Sequence, residues 1–93
     1  MLQFILNKKF TLAFEALENK LRLVLFEGDE ELVCRIEKLK NLQHFLAEDQ
    51  THLFKGRLQL SKRGGVIEVL VKQKSVGISS SSTFREILQA SNT

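Results

Sequence analysis

The chain has no proline, no tryptophan, no tyrosine and a single cysteine among its 93 residues. Without proline, turns must be read from glycine and from polar pairs. One cysteine, Cys34, excludes an internal disulfide and so argues against a small secreted scaffold held by staples. No apolar run approaches the roughly 18 residues of a spanning helix. Lys8 and Lys9 follow the short apolar start, which is the wrong order for a signal peptide. These absences predict a cytoplasmic protein with no membrane partner, built as one domain over residues 1–93.

Chemistry is also scarce. His44 and His52 have no cysteine pair or carboxylate at ligand spacing, so no metal is expected. The serine run 79–82 lacks the Gly-x-Ser-x-Gly elbow of a serine nucleophile. Lys62-Arg63-Gly64-Gly65 is not a phosphate loop, because its glycines join two strands. No catalytic residue and no cofactor are therefore expected. In coarse outline the chain resembles small ribosome-dependent mRNA-cleaving toxins, which combine helices, a basic meander and a terminal helix. It has no tyrosine and no acid–base set, and topology alone does not define function.

What is present is alternation. Residues 57–80 read as a three-stranded antiparallel meander. A turn at Arg63-Gly64 pairs Leu60 with Ile67 and Leu58 with Val69, and a turn at Gln73-Lys74 pairs Val71 with Val76 and Val69 with Ile78. All of these apolar residues then share one face. In the first half, residues 2–6 and 10–16 are apolar around an Asn7-Lys8-Lys9 break. As a helix, residues 11–27 would be apolar on every side, which a small domain rarely buries. A hairpin turning at Glu18-Asn19 instead places Leu12 by Leu25, Phe14 by Leu23, Ala16 by Leu21 and Glu15 by Arg22.

From Gly28 onward the period changes. Asp29 as N-cap and a stripe of Leu32, Val33, Ile36, Leu39, Leu42 and Leu46 predict a helix over about 30–47. Asp49 to His52 reads as a polar loop, with Phe54 opening the approach to the meander. Thr83 and Glu86 make a capping box for a short closing helix, packed through Phe84, Ile87 and Leu88, after which Asn92 and Thr93 fray. The expected fold is α+β, with two three-stranded antiparallel meanders each followed by a helix (βββα-βββα). Repeat units 2–47 and 56–90, aligned by a shift of 54 or 55, would make it pseudo-two-fold.

Net charge is +3 but uneven: residues 29–52 carry −3, while residues 53–93 carry +5. Basic hairpin turns are the main functional signal, giving Lys8, Lys9, Lys62, Arg63, Lys72 and Lys74 as candidate contacts to nucleic-acid phosphates. Against this, turn lysines also protect sheet edges, and the meander's two turns lie at opposite ends of its strands. A second candidate surface is the outer side of the 30–47 helix, where Cys34, Lys38, Asn41 and Phe45 would form a mixed patch for a protein partner or a homodimer. Two functions stay open: a non-enzymatic nucleic-acid-binding module, or a protein-interaction module of adaptor, inhibitor or immunity type.

Overall fold

The computed structural model describes residues 2–53 and 56–91. Phe54, Asn92 and Thr93, to which the sequence assigned an approach strand and a frayed end, lie outside them. The order is β1 (Leu2–Ile5), β2 (Phe10–Leu17), β3 (Lys20–Glu27), β4 (Glu30–Lys38) and α1 (Leu39–Ala47). Then come β5 (Gln50–Leu53), β6 (Leu58–Arg63), β7 (Val66–Val71), β8 (Lys74–Ser80) and α2 (Ser81–Ser91). Two four-stranded antiparallel sheets result, ordered β1-β2-β3-β4 and β5-β6-β7-β8. The fold is α+β as expected, but each sheet has four strands rather than three.

The β2–β3 hairpin has the expected register: Leu12 pairs with Leu25, Phe14 with Leu23, Glu15 with Arg22 and Ala16 with Leu21. Asn19 takes a left-handed conformation (φ 59°) in its turn, which asparagine tolerates better than most residues. In the second sheet, Leu60 pairs with Val69 and Leu58 with Val71, about a turn centred on Gly64-Gly65. That is two residues from the expected register, so the faces are preserved while the partners change. One core draws on both halves of the chain, from Leu12, Phe14 and Leu23 to Leu60, Val69 and Phe84. Phe14 meets Phe84 edge to face, with ring centroids 5.2 Å apart.

Four expectations are corrected. Residues 30–38 are strand β4, not helix, and only Leu39–Ala47 is helical. Lys38, rather than Asp29, occupies the N-cap of α1. Residues 50–53 form β5 rather than a loop. The cap of α2 is Ser80, whose Oγ accepts a hydrogen bond from the Thr83 amide at 3.1 Å.

The other divergences come from β-bulges. The β3–β4 register shifts between Leu25, which pairs with Val33, and Phe26, which pairs with Glu31, leaving Leu32 as the extra residue. The β7–β8 register shifts between Val69, which pairs with Gly77, and Leu70, which pairs with Ser75, leaving Val76 extra. Leu32 and Val76 both pack against the core. Beyond its bulge β8 changes face, so Ile78 stands opposite Glu68, 61% exposed, instead of beside Val69 in the core.

The order ββββα occurs twice, where βββα was expected. β1 corresponds to β5 (Leu2 to Gln50) and α1 to α2 (Leu39 to Ser81), an offset that shrinks from 48 to 42. A shift of 54 instead lays β2 on β7 and β3 on β8.

Candidate nucleic-acid interface

The loop from Leu6 to Lys9 crosses from the first sheet to the second. Asn7 directs both ends of this contact: its Oδ1 accepts from the Lys9 and Phe10 amides, at 2.8 and 3.1 Å, which rigidifies the loop. Its Nδ2 donates to the Val76 carbonyl at 2.6 Å. Beside this bond, Gly77 leaves so little room that a Cβ there would sit 2.7 Å from the Leu6 Cβ. The loop thus packs along the edge of β8. The reciprocal contact involves Gly56, where a Cβ would lie 3.0 Å from the Arg35 guanidinium of β4.

This docking sets a basic loop of the first half against β8, two residues along from a basic turn of the second half. Lys8 and Lys9 lie on the crossing loop, and Lys72 and Lys74 bound the β7–β8 turn of the strand that receives it. The Lys72 amide donates to the Arg57 carbonyl at 2.9 Å, adding the exposed Arg57 to the same rim. Lys9 is neutralised by Glu27 at 2.8 Å and lies 5.5 Å from the Phe10 ring centroid. Among the described residues, Lys8, Arg57, Lys72 and Lys74 form no ion pair. Lys72 and Gln73 both have positive φ (51° and 69°), as a two-residue hairpin of this kind requires. Asparagine and glycine would occupy these positions with less strain.

The other two expected contacts do not join the rim. Lys62 is a structural residue: its side chain shares the inner face with Ile67, is only 5% exposed, and donates from Nζ to the Glu48 carbonyl at the C-terminal end of α1. A cation there complements the helix dipole and satisfies an orphan carbonyl. Arg63 is exposed at the opposite end of the second sheet, paired across the strands with Gln50 and Val66. Arg57 was not among the expected contacts. A first turn placed at Gly64-Gly65 would have revealed it, because that register sets Arg57 across from Lys72.

The helical patch does not exist as a surface. Cys34 is an exposed free thiol on β4, across from Val24. Lys38 ends that strand, and Asn41 on α1 donates to Glu37 Oε1 at 2.8 Å. Phe45 is 3% exposed and belongs to the core. Among the described residues, no three His, Cys, Asp or Glu side chains gather as metal ligands, and no helix is long and apolar enough to cross a membrane. Comparison with protein-family models, curated proteins and solved structures finds no match to this chain.

Proposed function

We propose that the protein is a non-enzymatic, cytoplasmic binding module that holds nucleic-acid phosphates on the rim of Lys8, Arg57, Lys72 and Lys74. The observation that supports this reading is the docking of the Leu6–Lys9 loop on β8, the strand that follows the Lys72–Lys74 turn. The strained turn adds support, since a lysine sits where a less strained residue would serve stability better. Sheet width bears on specificity. Four strands about 4.8 Å apart span about 14 Å, more than the roughly 12 Å major groove, which favours backbone contact over base reading. The repeated ββββα order belongs to the same proposal, as a pseudo-two-fold molecule. It is supported by equivalent bonds at the two helix starts: Leu39 N to Asn19 O at 3.1 Å and Ser81 N to Gly65 O at 2.8 Å.

Binding to random-sequence nucleic acid should weaken steeply as salt rises. Replacing Lys72 and Lys74 together by alanine should flatten the log–log salt slope by about 1.4–1.8, two phosphate contacts' worth. Fluorescence anisotropy across a salt series reads this directly. No salt-dependent binding by the wild type at about 50 mM salt, where screening is weak, retires the reading.

A second reading, a protein-interaction module or homodimer, is supported by Ile5 and Ile36, which are 75% and 51% exposed on the outer face of the first sheet. Sedimentation over a wide concentration range tests the homodimer. The mass should rise with concentration for the wild type and stay monomeric for Ile36→Lys; a wild type that is monomeric throughout removes it.

A further inference from the structure

At the Arg63 end, far from the basic rim, two clefts adjoin on the outer face of the second sheet. One, about 410 Å³, lies over the ends of β5 and β6, where Gln50 faces Arg63 and His52 faces Ser61. The other, about 240 Å³, continues across β7 and β8, past Val66, Glu68 and Ile78. Ser61 and Arg63 line both, so the two form one trough running across all four strands.

Cross-strand and same-face spacings put the Gln50, Arg63, His52 and Ser61 side chains at the corners of a frame about 5 by 7 Å. All four can donate hydrogen bonds. Among the described residues, none of the four side chains is engaged in a hydrogen bond or ion pair. Ser61 is only 8% exposed, yet no buried side-chain oxygen lacks a partner, so its hydroxyl must open into the trough. Beyond the frame the character changes. Val66, across from Arg63, and Ile78 are exposed apolar side chains, and Glu68 stands between Ser61 and Ile78 as an acceptor.

We infer that this trough is a site for a nucleoside monophosphate group. The phosphate takes the donor frame of Gln50, His52, Ser61 and Arg63, with Arg63 supplying charge and a two-pronged contact. The ribose hydroxyls lie within reach of Glu68, and the base lies flat on Val66 and Ile78. Val66 lies one strand spacing from Arg63 and Ile78 two from Ser61, about 5 and 10 Å, a range that a ribose between phosphate and base can bridge. Glu68 makes a bare phosphate a poor ligand, because its carboxylate repels an anion that gains no ribose or base contact in return.

The test is titration of the full chain with adenosine 5′-monophosphate, followed by backbone amide shifts. Perturbed amides at 50–52, 61–63, 66 and 78, and affinity lowered roughly tenfold or more by Arg63→Gln, support the site. Adenosine and inorganic phosphate should each bind more weakly than the monophosphate. Lys72→Ala with Lys74→Ala should leave this binding unchanged, which separates it from the rim. Two oligoadenylates, with and without a 5′-phosphate, identify the source. A preference for the phosphorylated strand assigns a strand end, and equal binding assigns the free mononucleotide. Binding of adenosine as tight as that of the monophosphate overturns the inference. So do shifts centred on Lys72 and Lys74, or an Arg63→Gln protein that binds like wild type.

Discussion

Lys62 and Lys72 show how one residue type serves opposite ends at two positions in the same sheet. Lys62 is folded under the sheet to close the carbonyl end of α1. Replacing it by alanine should cost about 1–3 kcal/mol, the penalty for leaving a buried acceptor unpaired, as read from urea unfolding. Lys72 is exposed and held at positive φ, as is Gln73. Changing Gln73 to glycine should stabilise the protein by about 0.5–1 kcal/mol while leaving every rim charge in place. Sequence reading could not separate the two lysines, since both flank hairpin turns. Moving the first turn by one residue, from Arg63-Gly64 to Gly64-Gly65, takes Lys62 out of the turn and pairs it with Ile67, on the inner face that its spacing from Leu58 and Leu60 dictates.

At the level of elements, the β2–β3 hairpin was legible because its alternation is uninterrupted through both strands. In the last strand of each sheet the pattern misleads, making β4 look helical and giving β8, though legible as a strand, the wrong face at Ile78, and the same device is responsible twice. A bulge places two successive apolar residues, Leu32 and Val33, toward the core. In the sequence this breaks the period of two and imitates the i, i+1, i+4 spacing of a helix face. The bulge at Val76 turns Ile78 outward in the same manner. The proposed rim was half legible: its lysines could be named, but the docking that brings the Lys8 loop to β8 leaves no local pattern. Hydroxyl substitutions should separate the bulge residues from the positions that alternation favours. Leu32→Ser and Val76→Ser should each lose about 1–2 kcal/mol, whereas Ile36→Thr and Ile78→Thr should stay within about 0.5 kcal/mol of wild type. Equal losses at all four positions would contradict the bulged strands.

Across the whole molecule, the two halves are joined by more than a shared core. The Leu6–Lys9 loop covers the edge of β8, and Gly56 lies against Arg35 of β4, so each sheet's final strand is met by a loop from the other half. Covered edges resist strand-to-strand aggregation. Gly77→Ala should push Leu6 away and destabilise the protein by about 1–3 kcal/mol. It should also weaken nucleic-acid binding without removing a charge, because the rim loses its alignment. Unchanged stability and binding in that variant would mean that the loop does not hold the rim together. The reciprocal arrangement also has a temporal side. On the ribosome, Phe14 emerges 70 residues before Phe84, the ring that covers it. At about 5–20 residues per second the first sheet waits roughly 4–14 s with its apolar side open. During that interval the nascent chain is a natural client for a holding chaperone, and slowing translation after α1 should lower the yield of soluble protein.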